Sequence, residues 1–232
     1  MSLVVLSTDT PHHRYFINRI CMDNKIDCVY FETNHISPLF EVGPFMSEEE
    51  NEFERRFFLD TPYDLDTEVR QAKSINSEVV VSELERLRPD IGLVFGTGII
   101  KPSVINKFKC LINVHRGIIQ NYRGLDSDLW AVYHGDFENI GTTIHLVDKR
   151  LDTGNIIDQG KVKITKDMCL FQLRYYTTLI ATDLVIKALL KHKETKKVNS
   201  CPQTDLGRYY SFMPLVMKQG VNTKFNKYVG ML

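Results

Sequence analysis

Four short apolar runs constrain the fold of this chain more than any other feature of its sequence. They cover residues 3–7, 27–31, 91–95 and 110–114. Each is nearly continuous in its apolar character, which is typical of strands buried on both faces of a parallel sheet. Helical patterns that begin at Pro11 and after Ser77 separate them. The alternation predicts an α/β domain with a mostly parallel twisted sheet flanked by helices.

The second half of the chain continues this pattern less regularly. Strands are predicted over residues 141–147 and 156–164, and the longest helix over residues 167–191. The segment SEEENEFERRFF at 47–58 predicts an amphipathic helix with a solvated charged face. We expect residues 1–195 to form the main domain, and 196–232 a tail that packs on it or at a dimer interface. In that tail, Tyr209, Tyr210 and Phe212 either stack on a flat aromatic base or pack in the core or at a dimer interface, and packing is favoured.

Composition narrows the functional classes. The 232 residues include 29 basic and 29 acidic side chains, so the formal net charge is zero. This balance argues against nucleic-acid binding through the phosphate backbone. The five cysteines include no C-x-x-C pair, which disfavours a zinc site or a disulfide framework. The start has no signal-peptide pattern and no apolar stretch has membrane-spanning length, so we expect a cytoplasmic protein without membrane insertion.

One glycine-containing turn follows the third apolar run. The sequence FGTGII at 95–100 lacks the third glycine of a dinucleotide fingerprint and lies far from the first strand, which disfavours a nicotinamide or flavin site. Gly96 and Gly98 instead allow a sharp turn or the close approach of a flat ligand. Ligands of open α/β sheets lie beyond the carboxyl ends of the strands, where this turn is expected.

The fourth apolar run ends in polar side chains. Asn113 and His115 are two residues apart and therefore point to the same face of a strand. The amide of Asn113 can donate to an oxyanion, and His115 can move a proton. Asp152, in a Leu-Asp-Thr-Gly turn, is either the group that orients the histidine or only a turn former. The adjacent His12 and His13 are expected to point apart on a helix, which makes them a poor metal pair.

Around these residues the sequence resembles a known family. The pattern N-x-H-x-G-x-x-x-x-Y-R-G, followed by a tryptophan-containing helix and G-T-T-I-H-x-V-D-x-x-x-D-T-G-x-I-I, is similar to the 10-formyltetrahydrofolate-dependent formyltransferases. The match runs from about residue 88 to about residue 157. Two departures are Gln120, where the family usually has proline, and Gly117, where many members have serine. The resemblance implies a Rossmann-like formyltransferase fold.

The resemblance also implies a mechanism. Asn113, His115 and Asp152 fall on the catalytic triad of the family. Asn113 and a protonated His115 would stabilise the tetrahedral oxyanion formed when an amine attacks the formyl carbon. Asp152 would keep His115 charged and help to relay the amine's proton to the folate nitrogen.

Further ligand contacts follow from the same resemblance, which implies 10-formyltetrahydrofolate as the formyl donor and no metal. The pterin would lie against two loops, at residues 95–100 and 147–152. The expected cofactor-binding residues in these loops are Phe95, Gly96, Thr97, Gly98, Ile99, Ile100, Val147, Asp148, Lys149 and Leu151. The expected substrate-binding residues are Thr8, Arg14, Arg116, Gly117, Tyr122, Arg123 and Gly124. From the residues alone, Arg123-Gly124 either holds an anionic group or turns a loop.

The acceptor is inferred by elimination within the family. The tRNA-modifying branch carries a further β-barrel domain, whereas about forty residues follow the last predicted helix here. The glycinamide ribonucleotide branch has a glycine-rich phosphate loop after its first strand, whereas residues 7–14 read STDTPHHR. We therefore expect a nucleotide-linked amino sugar as substrate, as in the sugar N-formyltransferases of O-antigen synthesis, and a homodimer is suggested. The alternatives are a glycinamide ribonucleotide-type or other small-amine formyltransferase, a formyltetrahydrofolate hydrolase, and a non-catalytic folate-binding relative.

Overall fold

The computed structural model describes residues 1–34, 37–44, 47–58, 65 and 67–232. Its strands are β1 (Leu3–Ser7), β2 (Cys28–Glu32), β3 (Val69–Ala72), β4 (Ile91–Phe95), β5 (Cys110–His115), β6 (Tyr122–Gly124), β7 (Gly141–Leu146), β8 (Ile156–Lys161) and β9 (Arg208–Tyr210). Its α-helices are α1 (Pro11–Cys21), α2 (Glu48–Phe58), α3 (Glu78–Leu87), α4 (Pro102–Ile105), α5 (Ser127–His134), α6 (Leu173–Thr195) and α7 (Leu215–Val229). Short 3₁₀ turns lie at Phe137–Asn139 and Leu170–Gln172.

The central sheet confirms the predicted fold class. Its seven strands lie in the order β3-β2-β1-β4-β5-β7-β8. The strands from β3 to β5 are parallel, whereas β7 runs antiparallel to both β5 and β8. Because β1, β4 and β5 are parallel neighbours, their carboxyl ends meet at one edge of the sheet, which is where ligands of this fold class bind.

Both faces of the sheet are covered, which explains the continuous apolar runs. Leu3 and Val5 of β1 pack in one apolar cluster with residues of α1 and α6. Val4 and Leu6 of the same strand pack in a second cluster with residues of α3 and α4. Alternate residues of one strand therefore enter opposite cores, and neither face tolerates polar side chains in the strand centre.

The helices differ from the sequence predictions in two places. The longest helix begins at Leu173, after a 3₁₀ turn, and extends to Thr195. The prediction that the charged face of α2 is solvated holds for most of its charged residues but not for Glu54, which is 0% exposed and lies among other charged side chains. Across the described ranges, no helix combines the length and apolar character that a membrane span requires.

The C-terminal residues contain structure that the sequence did not reveal. Strand β9 pairs in parallel with β6 in a small separate sheet. Helix α7 buries Val221 and Phe225 in a third apolar cluster, which includes Ala131 and Val132 of α5. This segment therefore packs against the part of the chain that follows β5.

Candidate active site

Asn113 and His115 lie at the carboxyl end of β5, and the turn after β7 brings Asp152 to them. The Nδ1 atom of His115 is 3.6 Å from Oδ2 of Asp152, and both residues are buried. Nδ2 of Asn113 is 3.0 Å from Nε2 of His145, which in turn lies 3.5 Å from Oδ1 of Asp152. The three residues that the sequence singles out therefore meet in one cluster, together with a second histidine.

The hydrogen bonds of His115 define its neutral form. Its Nε2 lies 2.8 Å from the carbonyl oxygen of Tyr122 and 3.3 Å from the hydroxyl of Ser127. A carbonyl can only accept, so Nε2 carries the hydrogen and, in a neutral ring, Nδ1 is the unprotonated nitrogen that faces Asp152. Burial lowers the pKa of His115, although the charge of Asp152 and the Tyr122 bond oppose this. The lowered pKa favours the neutral ring in the free protein, whereas the protonated His115 expected from sequence belongs to the stage at which the oxyanion has formed.

Asp152 is held as a carboxylate. Burial on its own would raise the pKa of Asp152, but the neighbouring His115 and His145 and a hydrogen bond from the Gly124 backbone outweigh it and lower the pKa to about 2. The Gly124 N–H donates to Oδ2 at 2.9 Å. Asp152 also has a left-handed backbone conformation, with φ of +52°. That conformation is uncommon outside glycine, and aspartate is among the residues that tolerate it best.

Sequence reasoning missed His145, which connects the other members of the cluster. It lies directly opposite Asn113 in the antiparallel pairing of β5 with β7. Its Nδ1 is 2.9 Å from the carbonyl oxygen of Leu146, which can only accept, so Nδ1 carries a hydrogen and Nε2 can accept from Asn113. The signal was present in the segment GTTIHLV, but the position opposite Asn113 appears only once the strand pairing is known.

The predicted loop 95–100 is a tightly anchored turn after β4. Gly96 has φ of +83°, and a Cβ there would lie 2.4 Å from the ring of His13, so a larger residue does not fit. The Gly98 N–H donates to Glu32 at the end of β2, at 2.8 Å. The side chain of Ile99 is 64% exposed. The loop thus combines a fixed backbone with an apolar side chain that is open to a ligand.

The second predicted loop follows β7. The Val147 N–H donates to the Leu111 carbonyl at 2.8 Å, and the side chain of Val147 packs in the same apolar cluster as Ile100. Asp148 accepts hydrogen bonds from Thr153, which closes the turn. Leu151 exposes 37% of its surface. Val147 and Ile100 therefore bring the starts of the two loops' exposed parts to the same face of the sheet, whereas Phe95 is buried in the cluster on the other face.

Three of the predicted substrate-binding residues, Gly117, Tyr122 and Gly124, contact the His115–Asp152 pair, and Arg123 bonds to the carbonyl of Leu151 beside it. A Cβ at Gly117 would lie 2.8 Å from Nε2 of His115, so this position touches the imidazole. The carbonyl of Tyr122 and the N–H of Gly124 bond to His115 and Asp152 respectively.

The other three predicted substrate-binding residues have partners of their own. Thr8 Oγ1 is 2.9 Å from the ring of His13. Arg14 forms a bidentate ion pair with Asp9, with contacts of 2.5 and 2.9 Å. Arg116 forms a 2.5 Å ion pair with Asp128. To bind substrate, Arg14 and Arg116 must either use donors that their carboxylate partners do not engage or release those partners.

The adjacent histidines of α1 do not point apart as predicted. The ring centroids of His12 and His13 are 4.1 Å apart, and both rings are buried. His12 bonds to Glu54 through Nδ1 at 2.8 Å. Among the described residues, no three His, Cys, Asp or Glu side chains gather as a metal site would require.

Comparisons with known proteins agree with this architecture. A methionyl-tRNA formyltransferase of Finegoldia magna is 27% identical over 207 residues, which cover 84% of this chain but only 66% of that relative. A sugar N-formyltransferase structure from Shewanella sp. FDAARGOS_354 has a TM-score of 0.65 at 16% identity, and covers 91% of this chain and 76% of that one. An N-formyltransferase of Helicobacter canadensis, solved with folinic acid and dTDP-3-aminofucose, has a TM-score of 0.61 at 18% identity, over 91% and 71% of the two chains.

The structural likenesses, at these identities, show a shared fold. The family assignment comes from a separate match, of residues 43–188 to the family described as formyl transferase. That match covers more than half of the chain and confirms the resemblance found in the sequence. This chain belongs to the formyl transferase family.

Proposed function

We propose that this chain transfers a formyl group from 10-formyltetrahydrofolate to the primary amine of a nucleotide-linked amino sugar. The observation that carries the proposal is the meeting of Asn113, His115 and Asp152 at the carboxyl end of β5. An amide donor, a neutral imidazole and an ionised carboxylate are the groups that formyl transfer to an amine needs. They supply an oxyanion donor, a proton acceptor and a counter-charge.

His115 acts first as a base. Its Nδ1 is unprotonated in the free protein and can take a proton from the attacking amine as the new C–N bond forms. The imidazolium that results lies 3.6 Å from the Asp152 carboxylate, and its other nitrogen still donates to the Tyr122 carbonyl. Both contacts favour the charged ring, so Asp152 holds the proton on His115 until it is delivered to the departing folate nitrogen.

Asn113 stabilises the oxyanion. Its amide nitrogen carries two hydrogens, and the bond to His145 uses one of them. The second can be donated to the oxygen that becomes negative when the formyl carbon turns tetrahedral. Since His145 fixes the amide in place before the reaction, the donor does not have to reorganise as the charge develops.

The two loops fit a flat ring with apolar faces. Ile99 and Leu151 present exposed apolar side chains, while the hydrogen bond from the Gly98 N–H to Glu32 fixes the backbone of the first loop. When bound there, 10-formyltetrahydrofolate supplies the formyl group. The chain's own contribution is to hold that group beside Asn113 and His115 and to exclude water.

Two acceptor classes have support. Fold neighbours include sugar N-formyltransferases, and the Helicobacter canadensis enzyme was solved with a nucleotide-linked amino sugar. This supports the sugar acceptor. The second candidate is methionyl-tRNA, because the Finegoldia magna relative is a methionyl-tRNA formyltransferase. The zero formal net charge of the chain favours the small acceptor, since tRNA binding relies on basic surface.

The test is a comparison of acceptors with one preparation of protein. The full chain is incubated with 10-formyltetrahydrofolate and, separately, a panel of nucleotide-linked amino sugars, glycinamide ribonucleotide and methionyl-tRNA. Tetrahydrofolate release and product mass are followed. We expect a mass gain of one formyl group on an amino sugar, and its loss in His115→Asn. The matched control is His192→Asn, a change at a histidine near the end of α6.

Other outcomes would redirect the assignment. Formylation of methionyl-tRNA alone would overturn the sugar acceptor and retain the transferase. Formate release without any acceptor would identify a hydrolase. Folate binding without turnover on any acceptor would leave the non-catalytic relative as the better description.

A further inference from the structure

The C-terminal segment 201–213 lies against the turn that carries Asp152. Cys201 exchanges two backbone hydrogen bonds with Ile156, both 2.8 Å, at the start of β8. Two residues later, Nε2 of Gln203 donates to the carbonyl oxygens of Asp152 at 3.3 Å and of Gly154 at 2.7 Å. Both partners are carbonyl oxygens, which only accept, so the side-chain amide must present its nitrogen to the turn.

A second tie joins the same turn to the small sheet. Arg123 of β6 donates through Nε to the Gly207 carbonyl at 2.6 Å and through Nη1 to the Leu151 carbonyl at 3.3 Å. The neighbouring Gly124 N–H donates to the Asp152 carboxylate. Because β6 pairs with β9, the position of this sheet depends on the C-terminal segment. The turn is thus held from Gln203 on one side and from β6 on the other.

The turn needs such support because its own backbone is unfavourable. Asp152 has a positive φ, which costs energy for a residue other than glycine. At Gly154 a Cβ would lie 1.7 Å from the Leu146 carbonyl oxygen, so the chain passes itself without room for a side chain. A conformation of this kind persists only when the surrounding structure fixes it.

We propose that Gln203 is a positioning residue for the reaction, which holds the Asp152 carboxylate at the working distance from His115. It does so through the two backbone carbonyls of the turn and touches no reacting atom. This inference rests on the proposed role of Asp152 as the counter-charge of His115.

The pKa of His115 provides a direct measure of this positioning. The charged or titratable groups that face the ring are Asp152, which raises its pKa, and His145 and Arg116, which lower it. The Tyr122 carbonyl raises it as well, and burial lowers it. If the turn moves away, the Asp152 carboxylate raises the pKa of His115 by less, while the other contributions to that pKa stay the same. The pKa of His115 then falls further.

The test uses Gln203→Met in the full chain. Methionine has a similar length but no donor. It also removes Oε1, which has no hydrogen-bond partner among the described residues, but it leaves the Asp152 and Gly154 carbonyls without their donor, so urea unfolding is measured alongside to correct for lost folded protein. The ring of His115 is titrated by NMR and assigned with His115→Asn, and kcat and KM are measured with the acceptor found above. Gln219→Met, an exposed position on α7, is the matched control.

We expect Gln203→Met to lower the pKa of His115 and to lower kcat roughly ten- to hundredfold, with KM nearly unchanged, as for a small misplacement of a catalytic group. Gln219→Met should alter neither. If Gln203→Met does not fold, Gln203→Ser, which is polar but too short to reach the turn, is expected to give the same shift.

Two results would overturn the inference. One is an unchanged pKa of His115 in Gln203→Met, and the other is a loss of rate that a smaller fraction of folded protein fully explains. The NMR titration needs no turnover. A shifted pKa in a protein that formylates nothing would therefore sustain the positioning role while the proposed function fails.

Discussion

Two of the buried histidine–carboxylate pairs among the described residues behave in opposite ways. His115 and Asp152 lie at the carboxyl end of β5, with 3.6 Å between Nδ1 and Oδ2. His12 and Glu54 join α1 to α2, with 2.8 Å between Nδ1 and Oε2. Burial lowers the pKa of both histidines. The carboxylates diverge, because the pKa of Asp152 is lowered to about 2 and that of Glu54 is raised to about 7.

The difference comes from what surrounds each carboxylate. Burial raises the pKa of both, but Asp152 receives a backbone N–H and faces two imidazoles, which together outweigh burial. Glu54 is fully buried, and Arg174 lies 3.9 Å away, so burial wins. A shorter contact between the partners therefore does not by itself keep a buried carboxylate ionised. Asp152 stays ionised, whereas Glu54, in the contact between α1 and α2, is held towards its protonated form.

The largest effect expected from this contrast is on catalysis. Asp152→Asn keeps the shape of the side chain but removes the charge that supports a protonated His115. We expect kcat to fall about 10²- to 10⁴-fold, the range for loss of acid–base support. Asp158→Asn, an exposed change in the neighbouring β8, is the control, and Glu54→Gln should retain transfer activity. Equal losses in Asp152→Asn and Glu54→Gln would show that the two pairs do not differ in function.

The next effect is on stability and concerns the charges around Glu54. Arg174 is 9% exposed, and its Nε lies 3.1 Å from Glu50 and 3.9 Å from Glu54. Arg174→Met leaves the buried Glu54 and the half-buried Glu50 without this cation, and we expect the unfolding free energy to fall by about 3–5 kcal/mol. Urea unfolding measures the change. Lys187→Met, which removes an exposed cation from the same helix, should cost no more than about 0.5 kcal/mol. Similar losses in both variants would mean that the cluster is solvated.

A smaller effect is on the pH dependence of folding stability, to which Glu54 and Asp152 contribute with opposite signs. The folded protein binds a proton on Glu54 up to about pH 7, against an ordinary pKa of 4.5, so this group's contribution to stability falls as pH rises through that window. Asp152, with its pKa lowered from 3.8 to about 2, contributes stability above pH 3.8 that is lost as pH falls towards 2.

Glu54→Gln tests the first half of that contrast. Glutamine resembles the protonated carboxyl, so the variant should gain about 2 kcal/mol relative to the wild type between about pH 5.5 and about pH 8. Thermal unfolding at a series of pH values gives the difference. The exposed Glu52→Gln on the same helix should show no such trend. If the stability of Glu54→Gln runs parallel to that of the wild type, Glu54 is ionised across the whole range.

Sequence reasoning singled out Asn113, His115 and Asp152 but did not indicate the buried cluster around Glu54, for physical reasons. Strands β1, β2, β4 and β5 are predictable because each is a local apolar run. Asn113, His115 and Asp152 are predictable because family motifs surround them. The charged face of α2 resembles any solvated helix face, since nothing near Glu54 in the sequence indicates that Arg174 will meet it.

Strand pairing explains the remaining omissions. His145 acquires its place only because β7 runs antiparallel to β5 and puts it opposite Asn113. Strand β3 has the sequence VRQA at a sheet edge with alternating exposure, so it lacks the continuous apolar run of the central strands. Gln203 lies in a polar segment, and its contact with the Asp152 turn is a product of the tertiary fold.

The smallest expected effect concerns residues 117 and 127, whose side chains would compete for the same space beside the His115 ring. A Cβ at Gly117 would lie 2.7 Å from the Cβ of Ser127, whose hydroxyl contacts Nε2 of His115 at 3.3 Å. Glycine at 117 therefore makes room for serine at 127. We expect Gly117→Ser to displace the imidazole and to lower kcat about tenfold, or about 1.4 kcal/mol.

Ser127→Gly should reverse part of that loss in the double variant, because it removes the obstructing Cβ and lets the new hydroxyl at 117 reach His115. A double-mutant cycle on kcat is then expected to give a favourable coupling of about 0.5–1 kcal/mol. Gly220→Ser, at a position on α7 with open space around it, is the control for adding a serine. Strictly additive effects at 117 and 127 would mean that the two side chains do not compete for this space. They would also mean that the hydroxyl of Ser127 does not support the His115 ring.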